Sequence, residues 1–114
     1  MRTERTWRGH LLTGLLCLAA TLVTGASLAT TLSVSQKRRT FEPREATIAR
    51  GERITFVNDD GELLHHVHVA DPRFSFDIGE QDPGTSVAVA FPVAGTFRVT
   101  CRIHPRMLMT VTVR

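Results

Sequence analysis

The sequence contains only two cysteines in 114 residues, and it has no long run of like charge. Cys17 falls in an apolar N-terminal segment, so Cys101 has no partner for an intramolecular disulfide in the rest of the chain. Residues 1–36 do not have a globular pattern, which leaves a small fold in the remaining residues. A domain of this size often depends on a disulfide or a metal. Because no intramolecular disulfide is available, the sequence predicts that the domain binds a metal ion that stabilises it.

A basic stripe with interleaved aromatic residues is also missing. The chain has 14 Lys or Arg, 11 Asp or Glu and 6% aromatic residues. Arg2, Arg5 and Arg8 account for three of the basic residues, so the chain from Thr30 onwards is close to neutral. This composition gives no support for nucleic-acid binding. Residues 37–39 form a short basic cluster that we expect to be a solvated linker.

Residues 1–29 have the pattern of a signal peptide. A basic start is followed by an uncharged apolar segment, and a small-x-small tripeptide precedes Thr30. The alternative is an uncleaved anchor formed by residues 11–32, since about 20 apolar residues can span a bilayer. Both interpretations predict an exported, periplasmic or otherwise extracytoplasmic domain at residues 41–114, preceded by a linker at residues 30–40. Membrane association is expected only if the anchor is retained.

The chain beyond Pro43 alternates polar and apolar residues with period two and shows no helical period. Gly, Pro and Asn clusters separate five or six short segments rich in β-branched residues. This pattern predicts an all-β fold, a small antiparallel β-sandwich or barrel. The predicted strands are, in chain order, residues 46–50, 53–57, 64–70, 85–91, 96–101 and 108–114.

Three soft or nitrogen donors follow each other closely between the last two predicted strands: Cys101, His104 and Met107. A thiolate, two imidazoles and a weak axial thioether are the ligand set of a blue-copper electron-transfer site. Pro105 stiffens the loop directly after His104. Met109 is the alternative axial residue, but it continues the apolar face of the closing strand and is better explained as a core residue. Met107 is therefore the preferred thioether.

The second imidazole has three candidates, His65, His66 and His68. Alternation places His65 on the same inward face as Val67 and Val69. Parity therefore favours His65 as the ligand. His66 and His68 are expected on the outer face, where the pair offers a weak second metal site.

These motifs resemble the cupredoxins, in the plastocyanin and amicyanin branch, over residues 41–114. The resemblance implies a Greek-key β-sandwich that binds one copper ion, Cu(I) or Cu(II), through His65, Cys101, His104 and Met107. The family usually has Asn directly after the first histidine ligand, whereas this chain has His66, which puts the link between the two ligand loops in question. The motifs that carry the resemblance are Phe41-x-Pro43, Gly51-x-x-Ile54-x-Phe56-x-Asn58, Pro83-Gly84, the run Gly95 to Cys101, and Ile103-His104-Pro105-x-Met107.

The expected function is single-electron transfer between transient redox protein partners by an exported, monomeric type 1 copper protein. Partners are expected to dock at the His104 edge, on a patch with Pro105, Leu108 and Phe74 or Phe76. An enzyme is not expected, because four protein ligands leave no open position for a substrate. The alternative is a module for copper sensing, storage or delivery, in which His66 and His68 serve as additional ligands.

Overall fold

The computed structural model describes residues 17–23, residue 25 and residues 31–114. Residues 17–23 are exposed and form neither helix nor strand. Most of the signal peptide or anchor predicted at residues 1–29 lies outside the described residues. Cys17 is an exposed thiol and Cys101 a buried one, and neither forms a disulfide. The described part of the chain contains no helix with the length and apolarity needed to cross a membrane.

Within residues 31–114, nine strands form two sheets that enclose one apolar core, which confirms the predicted β-sandwich. The first sheet has the order β2-β1-β4-β7 and the second the order β3-β9-β8-β5-β6. The strands are β1 (Thr31–Lys37), β2 (Thr40–Glu42), β3 (Glu45–Ile48), β4 (Arg53–Asn58), β5 (Val67–Val69), β6 (Phe76–Asp77), β7 (Ser86–Ala90), β8 (Gly95–Cys101) and β9 (His104–Val113).

The sheets are mixed, whereas the sequence pattern led us to expect antiparallel pairing alone. Strand β1 pairs with β4 in parallel, and β3 pairs with β9 in parallel, while the other pairs are antiparallel. Period-two alternation reports which face of a strand is buried but not the direction of its neighbour, so it does not distinguish the two pairings.

The linker expected at residues 30–40 is replaced by a strand and a turn. Strand β1 buries Val34 and Gln36, and its backbone pairs with β4 along six residues. Between β1 and β2, Arg38 and Arg39 form a tight turn with φ values of 54° and 56°. The segment lacks a run of large apolar residues because one of its two buried side chains is an amide, so its composition is that of a linker although its structure is that of a strand.

The register of β8 and β9 separates the two ends of the sandwich. Gly95 pairs with Val113 at one end, and Cys101 pairs with His104 at the other.

Phe74 and Phe76 pack against core rings, with centroids 5.6 Å from Phe97 and 5.7 Å from Phe91 respectively. Both phenylalanines are therefore partly buried against the core, which does not favour them as members of a docking patch at the His104 edge.

Candidate metal centre

Cys101 and His104 are the two ends of one tight hairpin. Cys101 ends β8, His104 begins β9, and only Arg102 and Ile103 lie in the turn between them. Directly opposed residues of an antiparallel pair have their Cβ atoms about 4.5–5.5 Å apart. The spacing of three residues thus brings thiol and imidazole together through strand pairing.

A bulge in β9 separates these two residues from the regular ladder. Thr100 pairs with Leu108 while Cys101 pairs with His104, so three residues of β9 have no counterpart on β8. Pro105 and Arg106 point to solvent in this bulge, and the side chain of Met107 is buried. Bulges commonly redirect a side chain beside a functional site.

Met109 lies in the regular part of the ladder, opposite Val99, and both residues are fully buried. Its surroundings are those of a core residue. Met107, in contrast, lies in the irregular backbone after His104, and it stays the predicted axial residue.

His65 is held by a network of buried amides. Its backbone forms a two-way bridge with Gln81, with an N–H donated to Gln81 at 3.2 Å and a carbonyl accepting from Gln81 at 2.7 Å. The Asn58 side chain donates to the carbonyl oxygens of Leu63 and Gln81 at 2.9 and 2.8 Å. Gln36 of β1 donates to the Gln81 side chain at 2.7 Å. Because these groups are buried and paired, they fix the loop that carries His65.

The three predicted donors His65, Cys101 and His104 come together, with one donor atom from each lying within 4.8 Å of the other two. Cys101 Sγ is 3.6 Å from His104 Nδ1. Metal bonds of about 2.3 Å to sulfur and 2.0 Å to nitrogen, in a trigonal plane, separate these atoms by about 3.7 Å. The group is therefore able to bind one metal ion.

Asp60 contacts the His65 ring on the side of Nε2. Its Oδ2 lies 2.5 Å from Nε2, while His65 Nδ1 is buried and has no partner among the described residues. A neutral imidazole that donates through Nε2 leaves the Nδ1 lone pair free. The carboxylate thus selects the tautomer that offers Nδ1 to a metal. A buried nitrogen with a free lone pair is available as a metal donor, which is a second indication that the residues fit a metal ion.

The Asp60 carboxylate is itself held by the β1–β2 turn. The Arg38 N–H donates to Oδ1 at 3.0 Å. Burial opposes ionisation, but this bond and the contact with His65 keep the pKa of Asp60 below its usual value. The group is therefore a carboxylate at neutral pH.

His66 links the two ligand loops by hydrogen bonds. Its N–H donates to Cys101 Sγ at 3.3 Å, and its carbonyl accepts from the Arg102 N–H at 3.0 Å. Its ring contacts Asp77 at 2.5 Å, and Arg102 pairs with the other oxygen of the same carboxylate at 2.9 Å. His66, Asp77 and Arg102 therefore connect the two ligand loops, in the place of the Asn usual in the family.

A second metal site formed by His66 and His68 does not appear among the described residues. The His66 ring is occupied by Asp77, and the His68 ring contacts the Thr100 hydroxyl at 3.1 Å. Both side chains are partly exposed, as the alternation predicts, and both have partners of their own.

His104 lies at the edge of the molecule with a modified electrostatic environment. Its pKa is lowered, first because partial burial disfavours the charged ring and then through the Coulombic influence of His65 and Arg39. One surface hollow is lined by Arg39, Ile103, His104, Pro105 and Arg106. The edge of the ring is accordingly set in a partly apolar surface with arginines around it.

Sequence reasoning missed Asp60, Asp77 and Arg39. The alternation of strands gives no information on loop residues, and the contact between Asp60 and His65 depends on how the turn after β4 returns to the sheet. The only signal was Asp59-Asp60 directly after a strand and five or six residues before a histidine, which is also an ordinary turn sequence.

The mixed β-sandwich and its clustered donors define the cupredoxin fold, and the solved structures agree. The chain matches a reduced Cu(I) form of an amicyanin variant with a TM-score of 0.68 and 21% identity, over 78% of this chain and 87% of that one. It matches an oxidised amicyanin variant with a TM-score of 0.67 and 21% identity, over 74% and 82% of the two chains.

A larger protein contains the same fold. A copper-containing nitrite reductase from Thermus scotoductus SA-01 matches with a TM-score of 0.68 and 24% identity, over 75% of this chain but only 22% of that one. No protein-family model and no curated protein match the chain. The likeness to structures therefore establishes the cupredoxin fold, which supports the resemblance drawn from the sequence motifs.

Proposed function

We propose that this chain is an exported blue copper protein that carries single electrons between redox partners. His65, Cys101, His104 and Met107 are the proposed ligands of one copper ion. The observation that carries the proposal is the convergence of one thiol and two imidazoles at the end of a cupredoxin sandwich. Soft sulfur donors with imidazole suit copper better than hard cations.

When bound, the copper supplies a one-electron couple between Cu(I) and Cu(II). The residues of the chain would hold the ligands in place in both oxidation states, which would lower the reorganisation required for electron transfer. The hairpin sets Cys101 against His104, and the amide network holds His65. The His66 N–H bond to Cys101 Sγ stabilises negative charge on the sulfur. Such restraint favours a carrier over a protein that exchanges its metal quickly.

His104 is the proposed point of electron exchange, because it is the donor residue nearest to solvent. Ile103 beside it is 44% exposed and Pro105 is exposed. We propose a patch of these residues without Phe74 and Phe76, which are partly buried against the core. A small apolar surface of this kind suits brief encounters with other redox proteins. We propose a monomer that has no catalytic substrate site, since four protein ligands leave no open position.

Copper sensing, storage or delivery receives less support. That function required His66 and His68 as additional ligands for handing over the metal. Their rings contact Asp77 and Thr100 instead, and His66 takes part in fixing the site. The arrangement restrains the metal centre and offers no second set of free donors at those positions.

The optical spectrum of the Cu(II) protein tests the proposal. Thiolate ligation by Cys101 should give intense visible absorption, and Cys101→Ser should abolish the colour while the domain stays folded. Met109→Leu, in the core, serves as the control that keeps the colour, since Leu and Met have similar volumes. A colourless Cu(II) complex of the wild-type protein would show that the blue copper assignment is wrong.

A further inference from the structure

The surface around His104 carries three arginines without an acidic partner. Arg39 and Arg106 line the hollow that contains His104, and a neighbouring hollow shares both residues and adds Arg44. Within residues 31–114, none of the three has a carboxylate at ion-pair distance. We call these three residues the arginine rim.

The carboxylates close to the rim do not cancel its charge. Asp60 is turned inwards, where it contacts His65 and the Arg38 N–H. Asp77 is paired with His66 and Arg102. Glu45 lines the neighbouring hollow and is the one acidic residue that faces the rim there. The two hollows are therefore lined by three arginines and one carboxylate, so the charge of their lining is positive.

The turn that supports Arg39 has an unfavourable backbone. Arg38 and Arg39 have φ values of 54° and 56°, in the left-handed region where hairpin turns prefer Asn and Gly. Side chains with a Cβ are strained in that region. Strain of this kind is concentrated at functional positions. In this protein it holds an arginine beside the exposed edge of a proposed ligand.

We propose that the arginine rim is the docking surface for a redox partner whose contact face is rich in carboxylates. This inference rests on the proposed function and names the class of its partner. Guanidinium groups bind carboxylates in a bidentate manner and are less strongly hydrated than ammonium groups. The arginines would steer the partner electrostatically, and the apolar residues Ile103 and Pro105 would supply the contact area of a transient complex. The partner is an acidic protein and not a membrane, because Arg39 and Arg106 line the same hollow as Ile103 and Pro105, next to the proposed point of electron exchange.

The first test measures binding and does not require electron transfer. Poly-L-glutamate is added to the 15N-labelled full chain in its Cu(I) form, or metal-free if copper does not bind. We expect shifts of the amide signals of residues 38–40, 102–104 and 106–107, and loss of these shifts in the Arg39→Gln/Arg106→Gln variant. The control Arg50→Gln/Arg53→Gln removes equal charge from exposed arginines at the opposite end of the sandwich. It should leave the shifts unchanged.

The second test uses small redox probes of opposite charge. The reduced protein is oxidised by hexacyanoferrate(III) and by tris(phenanthroline)cobalt(III) at ionic strengths from 0.01 to 1 M. Removal of Arg39 and Arg106 should slow the anionic reaction about tenfold at low salt, speed the cationic one, and have little effect at high salt. The control variant should change neither rate by more than about twofold.

Three outcomes would overturn the inference. If the two double variants changed the polyglutamate shifts and the oxidation rates equally, only the net charge of the protein would determine both. Glutamate shifts elsewhere on the molecule would place the anionic contact at another surface. Binding to anionic phosphatidylserine vesicles without binding to polyglutamate would make the rim a membrane contact. A protein that lacks the blue absorption but binds polyglutamate at the rim would refute the proposed function and leave the docking surface intact.

Discussion

Substitution of Asp60 by Asn should raise the reduction potential of the copper-loaded protein. The substitution keeps an acceptor oxygen for His65 but removes the negative charge, which lies 2.5 Å from Nε2. A carboxylate stabilises Cu(II) more than Cu(I), because the oxidised ion carries one more positive charge. Its removal should therefore favour the reduced form.

The magnitude follows from the distance. With a metal–nitrogen bond of about 2.0 Å on Nδ1, the Asp60 charge is about 6–7 Å from the metal. One unit of charge at that distance contributes about 0.6 kcal/mol in bulk water and about 2.5 kcal/mol at an effective dielectric constant of about 20. For a one-electron couple, about 1.4 kcal/mol corresponds to 59 mV, so the expected rise is about 25–110 mV.

Voltammetry of the two proteins gives the potential, and 15N NMR of the metal-free proteins gives the tautomer of His65. We expect Nε2–H in the wild type and a mixture of tautomers in Asp60→Ala, where the acceptor is lost. Asp59→Asn is the matched control, because it removes the same charge from the adjacent residue, whose carboxylate accepts from the Ser35 hydroxyl. An equal shift of the potential in both Asn variants would refute the reasoning, as would an unchanged potential in Asp60→Asn.

Two further predictions test the site in other ways. Met107→Leu should leave copper bound and raise the reduction potential, because loss of the thioether disfavours Cu(II). Met109→Leu should change neither copper binding nor the potential. If voltammetry gave the reverse pattern, Met109 would be the axial residue and Met107 the core residue. The lowered pKa of His104 means that the folded, metal-free protein resists a proton that the unfolded chain takes up near pH 6.5. Its free energy of unfolding should therefore fall as the pH drops below about 6.5, and urea unfolding at pH 7.5 and 5.5 should show a smaller fall in His104→Gln; an equal fall would contradict this account.

The donors of the site could be predicted because local rules determine them. Parity along one short segment separates His65 from His66 and His68, and their burial agrees with it. Strand pairing across a two-residue turn brings His104 to Cys101. Each of these inferences needs only the residues within one strand or one hairpin, and such short-range patterns are visible in a sequence.

The strands that were missed have different physical origins. Strand β1 has polar residues on both faces, and its buried Gln36 is satisfied by Gln81 from a distant loop. The edge strand β6 has two residues, too few for a periodic signal. Parallel pairing of β1 with β4 is decided by the two sheets packing on one core, which no local pattern records.

The segment that the sequence presents as a linker supports both proposed histidine ligands. From the β1–β2 hairpin, the Arg38 N–H holds Asp60 against His65, and Gln36 holds the amide network of the His65 loop. The same hairpin places Arg39 beside His104, where it lowers the pKa of that ring. A domain cut at residue 41 would keep every proposed ligand and yet lose the groups that orient one histidine and set the charge around the other. On these proposals, the ligand motif determines which metal binds, and the hairpin before it adjusts how that metal is held and which partner approaches it.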